Sequence, residues 1–141
     1  MVIGHLALPT ILKQCKGLRP LPLYAGSVCP DAVDKGLQQA GLAVNGRTWA
    51  HTLLSLILTT MLVWVWRGRI EAVSWAVGYF GHLICDSGGF VPWLHPFATY
   101  KFYPSERSLW HKLRQVRLGL VESLLVIWSV WLLVQQQIGR K

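Results

Sequence analysis

The sequence predicts an all-α fold: a polytopic membrane helical bundle with about three spanning helices and a short N-terminal interfacial or re-entrant helix. Its composition supports this class, because 52% of the 141 residues are hydrophobic, eight are Trp and the mean hydropathy is +0.37. The formal charge of +8 fits Lys and Arg gathered on the cytoplasmic side of each span. A chain of this length forms a single domain, residues 1–141.

Three apolar runs predict the spanning helices, and these are Ala50–Trp66, Ile70–Cys85 and Leu118–Val134. The first two are near the lower length limit for crossing a bilayer, so we expect tilt or a locally thin membrane. Arg67-Gly68-Arg69 predicts a tight turn between two antiparallel helices. Glu122, one turn inside the third run, is either a functional carboxylate or an acid paired with nearby arginines.

The remaining segments are shorter or more polar. Residues 1–14 predict a helix too short to cross a bilayer, and Pro20 and Pro22 are expected to end any helix there. Residues 24–46 predict a loop-rich stretch, and residues 87–117 predict an irregular one that prolines interrupt.

Two pairs of polar residues suggest a ligand site. His82 and Asp86 are four residues apart, so a helix places both on one face about 6 Å apart, which suits two metal ligands. They could equally cap or solvate a helix end. Asp31 and Asp34 follow Pro30 and either share one cation in a turn or lie at a solvated helix N-terminus.

The distribution of basic residues orients the predicted bundle. Most of the 14 Lys and Arg fall on the side that holds the loop before Ala50, and this pattern places that side in the cytoplasm. The same topology brings potential ligands to that face, namely Asp31, Asp34, His51, His82 and Asp86, and His5 can join them if the first helix does not span.

Three Asp and three His form an oxygen-and-nitrogen ligand set with enough donors for two ions. It suits a divalent metal ion, zinc first, with manganese or magnesium as alternatives. Two cations about 3.5–4 Å apart can hold the attacking and leaving oxygens of a displacement. At the headgroup level such a site would meet lipid phosphodiesters or other anionic substrates. Arg47 either binds a phosphate or is an ordinary positive-inside anchor.

Four segments occur in an order that resembles a known family. They are Gly4-His5-Leu6, Gly26–Asp34, Arg47–Thr52 and Gly78–Asp86. They resemble the ordered motifs of the YdjM-type bacterial inner-membrane proteins, which are described as LexA-regulated, membrane-bound, metal-dependent hydrolases. Phe90–Pro96 is similar to the Gly/Pro-rich stretch that follows the last motif. The resemblance covers most of residues 4–105.

The resemblance implies a multi-pass protein of the bacterial inner membrane that belongs to the SOS response. It also implies the metal-site positions His5, Asp31, Asp34, His51, His82 and Asp86, and we assign the catalytic role to Asp34 and Asp86. The chain departs from the family pattern at Lys35 and Gly46, where the family has His, and at Ala50, where it has Thr. Two ligands are therefore absent, which puts a second metal ion in doubt.

The leading functional hypothesis is a membrane-bound hydrolase whose metal-activated water attacks an ester or phosphoester, lipids included, at the cytoplasmic face. The expected partners are membrane lipids and an anionic or phosphoester substrate. The alternative is a non-catalytic small membrane protein, either an adaptor or holin-like. No nucleic-acid partner is expected, because the positive-inside pattern already explains the basic charge.

Overall fold

The computed structural model describes residues 2–14, 17–87, 90–102, 124, 127–132 and 135, and the side chains of residues 2–6 lie outside that description. The helices of its first 102 residues are α1 (Val2–Leu12), α2 (Pro20–Gln39), α3 (Leu53–Arg67) and α4 (Arg69–Asp86). The described residues between 124 and 135 are also helical. The predicted all-α class is confirmed.

Helix α4 is the central element, since α1, α2 and α3 all pack against it. Tyr79 and Leu83 of α4 form the small apolar core together with Val91 from the segment that follows. The Tyr79 hydroxyl also donates a hydrogen bond to the Ala50 carbonyl oxygen at 2.5 Å. One side chain therefore belongs to the core and fixes the loop before α3.

Helices α2 and α4 approach closely because glycines lie where they cross. A Cβ on Gly78 would overlap the backbone carbonyl of Leu23, and a Cβ on Gly26 would overlap that of Trp75. Both glycines are buried. The crossing therefore brings the two backbones into direct contact, closer than side chains would allow.

The predicted loop-rich stretch at 24–46 is wrong, because most of it belongs to the 20-residue helix α2. Pro20 begins this helix instead of ending one, since the first helical position needs no backbone N–H donor. Pro30 lies inside the helix and is fully buried. The loop begins only after Ala40, where Gly41 has a positive φ of 73°.

Helices α3 and α4 form the predicted hairpin. Gly68 is the single residue between them. Its φ of 94° lies in a region that residues with a Cβ rarely adopt. Helix α3 begins after Thr52, whose hydroxyl accepts a hydrogen bond from the Ser55 amide at 3.0 Å. The described part of the following segment, residues 90–102, is irregular as predicted.

The predicted polytopic membrane bundle is wrong: within the described residues, no helix is both long enough and apolar enough to cross a bilayer. The Thr52 cap and Gly68 limit α3 to 15 residues, about 22 Å against a hydrocarbon core of about 30 Å. Helix α4 has 18 residues but carries charged groups at both ends. Most of the third run, Leu118–Val134, and Glu122 lie outside the described residues.

We expect Gly78→Ala to destabilise the protein by about 1–3 kcal/mol, because the new methyl group must push α2 and α4 apart. Gly36→Ala in α2 is the matched control, since nothing lies within 4 Å of its Cβ position and Ala favours helix by up to about 1 kcal/mol. Urea unfolding of both variants measures the difference. Equal stability of the two variants would contradict the close approach.

Candidate metal centre

Four side chains from three parts of the chain meet in one cluster. Asp31 comes from α2, His51 from the loop before α3, and His82 and Asp86 from successive turns of α4. One possible ligand atom from each lies within 4.8 Å of all the others. Both imidazoles are fully buried, and Asp86 is 6% exposed. The cluster could therefore hold a metal ion.

The distances inside the cluster fit one small cation. Zinc bound at 2.0–2.2 Å in tetrahedral geometry needs donors about 3.3–3.6 Å apart. The Nε2 atoms of His51 and His82 are 3.2 Å apart, and Asp86 Oδ2 lies 3.3 Å from the first and 3.7 Å from the second. Asp31 Oδ1 is slightly farther, at 3.7 and 3.9 Å. The donor atoms of His51, His82 and Asp86 are therefore spaced much as the ligands of one zinc ion would be. Asp31 is a fourth possible ligand at a slightly longer distance.

Asp34 lies behind His51 and fixes the orientation of its ring. Its Oδ2 is 2.7 Å from His51 Nδ1, and its side chain is fully buried. The carboxylate also accepts hydrogen bonds from the amide and hydroxyl of Thr48, at 2.6 and 3.1 Å, and from the Ala50 amide at 3.0 Å. With Nδ1–H donated to Asp34, the Nε2 lone pair of His51 faces the cluster, as in carboxylate–histidine–metal arrangements.

The pKa values of Asp34 and His51 are set by two opposing effects, burial and hydrogen bonding. Burial alone would raise the pKa of Asp34, but the bonds from His51, Ala50 and Thr48 outweigh it and lower that pKa overall. Burial alone would lower the pKa of His51, but hydrogen bonds to Asp34 and Asp86 outweigh it and raise that pKa overall. The pair is thus an ionised carboxylate beside an imidazole that holds a proton more readily than a free imidazole does.

The outer oxygens of the two other carboxylates bind basic side chains. Lys35 Nζ lies 2.5 Å from Asp31 Oδ2, and Arg47 Nη2 donates to Asp86 Oδ1 at 2.9 Å. Lys35 and Arg47 are 44% and 36% exposed, and Asp31 is 14% exposed. This side of the cluster is therefore its open side.

The peptide unit at Ala50 is held at both ends. Its amide donates to Asp34 and its carbonyl accepts from the Tyr79 hydroxyl. Burial raises the pKa of Tyr79, so this hydroxyl keeps its proton and remains a donor. The loop that carries His51 is therefore fixed from α2 and from α4.

The structure brings four of the predicted ligand residues together, namely Asp31, His51, His82 and Asp86. Asp34, which was predicted as a ligand and a catalytic residue, is not in this group. Its carboxylate contacts Nδ1 of His51, on the edge of the ring that faces away from the other three side chains. His5 belongs to α1, and its side chain lies outside the description. Lys35, where the family pattern has His, pairs with Asp31.

Sequence reasoning missed the donors that fix Asp34. The amides of Thr48 and Ala50 leave no signal in residue type, because every residue except proline carries such a donor. The Thr48 hydroxyl, three residues before His51, is the one side chain that could have indicated this network. The Arg47–Asp86 pair was likewise hidden, since it joins positions 39 residues apart.

No family model, no curated protein and no solved structure matches the chain. The resemblance to the YdjM-type family rests on the four sequence motifs alone and stays a prediction. The geometry of the cluster carries the argument about function.

We expect Asp34→Asn to weaken the binding of a divalent metal ion at this cluster by about 10- to 100-fold, the usual effect of losing such an outer partner. An amide NH₂ facing Nδ1 would favour the tautomer that carries its proton on Nε2, which cannot bind a metal. Competition with a chromophoric chelator measures the affinity, and Glu71→Gln in α4 is the control. Unchanged affinity in a folded Asp34→Asn protein would show that His51 needs no such support.

Proposed function

We propose that the protein is a metal-dependent hydrolase acting on an ester or a phosphoester, with its centre at Asp31, His51, His82 and Asp86. The observation that carries the proposal is the 3.2 Å separation of two buried Nε2 atoms, beside a carboxylate oxygen. Two imidazole lone pairs repel each other at that distance unless a proton or a cation lies between them. Oxygens of the Asp86 and Asp31 carboxylates lie 3.3 and 3.7 Å from His51 Nε2, and negative charge at that distance favours a cation.

His51, His82 and Asp86 would hold the ion, since their donor atoms are closest together. A bound divalent cation would supply a Lewis acid and lower the pKa of water. Asp34 is a positioning residue in this scheme, because it acts through His51. In this scheme Asp31, on the open side of the cluster, is the group that accepts a proton from water.

We propose that the centre holds one ion. Lys35 already pairs with the outer oxygen of Asp31, so its positive charge disfavours a second cation on that carboxylate. Zinc is the first candidate, because two imidazoles with carboxylates in four-coordinate geometry suit it. Magnesium demands an octahedral shell of oxygens, and manganese also prefers oxygen-rich sites.

A lipid surface is the partner that fits the far end of the α3–α4 hairpin. We define the hairpin surface as Leu62, Val65, Trp66, Arg67 and Arg69. Its apolar side chains are highly exposed, Val65 by 85% and Trp66 by 81%, and both arginines are exposed. Exposed apolar and Trp side chains beside arginines match a bilayer with anionic headgroups. This supports lipids as the proposed partner and a bacterial inner membrane as the proposed location.

Metal analysis and hydrolysis assays together test the enzyme. We expect the purified protein to retain about one zinc ion and to hydrolyse bis(p-nitrophenyl) phosphate or p-nitrophenyl acetate. His82→Ala and Asp86→Ala should lose both the metal and the activity, whereas Arg19→Gln, an exposed change at the start of α2, should retain both. Stoichiometric zinc without turnover of either ester class would indicate a structural site instead.

Vesicle binding tests the hairpin surface. We expect the protein to bind phosphatidylglycerol vesicles. Val65→Ser with Trp66→Ser should reduce that binding by about tenfold or more, since the two apolar side chains that would enter the bilayer are lost. Leu21→Ser, at another exposed apolar position, is the control. If the double variant binds vesicles normally but abolishes self-association in solution, the surface joins two copies of the chain instead.

A further inference from the structure

Arg47 lies at the open side of the metal centre, one carboxylate away from the ligand atoms. Its Nη2 donates to Asp86 Oδ1 at 2.9 Å, while Asp86 Oδ2 lies 3.3 Å from His51 Nε2. Asp86 therefore connects the guanidinium to the cluster. Any group bound at the cluster from the open side comes within reach of Arg47.

The backbone at Arg47 is fixed on both sides. Its amide donates to the Asn45 side chain at 3.0 Å, and the next residue, Thr48, is buried with two hydrogen bonds to Asp34. The side chain nevertheless remains 36% exposed. A guanidinium carries five N–H donors in a fixed fork, so one bond to Asp86 leaves donors for a ligand that arrives from solvent.

We infer that Arg47 binds the anionic oxygens of a phosphoester held at the metal centre, and so selects phosphoesters over neutral carboxylic esters. Guanidinium groups match phosphate oxygens through parallel, charge-assisted hydrogen bonds. Lys35 adds a second exposed cation on the same side, so this side attracts anions. The inference rests on the proposed function and names the substrate class for that site.

If Arg47 only orients Asp86 and does not bind substrate, a different experimental result is expected. If the guanidinium only orients Asp86, its loss weakens metal binding and lowers the turnover of every substrate to the same extent. If it binds substrate, its loss harms anionic substrates selectively once the metal site is saturated. The two roles therefore separate in experiments performed on fully zinc-loaded protein.

The first experiment measures binding of inorganic phosphate to the zinc-loaded protein by calorimetry. We expect Arg47→Gln to weaken phosphate binding by about tenfold or more, the usual effect of losing a charge-assisted hydrogen bond. Arg47→Lys should restore part of the affinity, since it keeps the charge but loses the fork. Arg19→Gln, with its exposed side chain on the start of α2, should bind phosphate as the original protein does. Equal phosphate affinity in Arg47→Gln and the original protein would overturn the inference.

The second experiment compares two substrates with the same leaving group, bis(p-nitrophenyl) phosphate and p-nitrophenyl acetate. Zinc-saturated Arg47→Gln should lose about tenfold or more in kcat/KM for the phosphodiester, mainly through KM, and less than about twofold for the acetate. Equal losses for both substrates would assign Arg47 to positioning Asp86 and overturn the inference. If the original protein hydrolyses neither substrate, the hydrolase proposal fails, while the phosphate measurement still decides the role of Arg47.

Discussion

The rest of the site depends on one buried imidazole, that of His51. Its Nδ1 contacts Asp34 at 2.7 Å, and its Nε2 faces His82 at 3.2 Å. A buried polar ring is stable only if both nitrogens have partners, so the fold must bring a carboxylate to one edge and the cluster to the other. The loop before α3 is shaped by this demand: the amides of Thr48 and Ala50 point at the same carboxylate that holds the ring.

The close crossing of α2 and α4 makes this arrangement possible. Gly26 and Gly78 let the two backbones touch, so the C-terminal halves of both helices lie side by side. Asp31 and Asp34 are three residues apart on α2, which separates them by about 60° around the helix axis. One carboxylate therefore reaches the cluster while the other reaches the far side of His51. A single D-x-x-D motif thus supplies a candidate ligand and the group that orients another.

The sequence predicted the parts of this structure that depend on local pattern. The α3–α4 hairpin followed from two apolar runs separated by Gly68, and the i, i+4 spacing placed His82 and Asp86 on one helix face. Helix α2 was missed because its prolines indicated helix breaks, although Pro20 occupies the first helical position, which needs no N–H donor. Spanning helices were predicted because apolar content does not distinguish a bilayer from an exposed hairpin. The role of Asp34 could not be predicted, since it depends on backbone donors in a distant loop.

Charge balance is the last constraint on what the cluster binds. Asp31, Asp34 and Asp86 carry three negative charges within a few ångströms, and Lys35 and Arg47 compensate two of them. Either a proton on His51 or a divalent cation can compensate the remainder. A proton on Nε2 forms its strongest hydrogen bond with an acceptor close to the N–H direction, whereas a cation attracts donor atoms from every direction. Nε2 of His82 and oxygens of Asp31 and Asp86 lie within 3.7 Å of His51 Nε2, so a metal ion among them could contact all four groups at once.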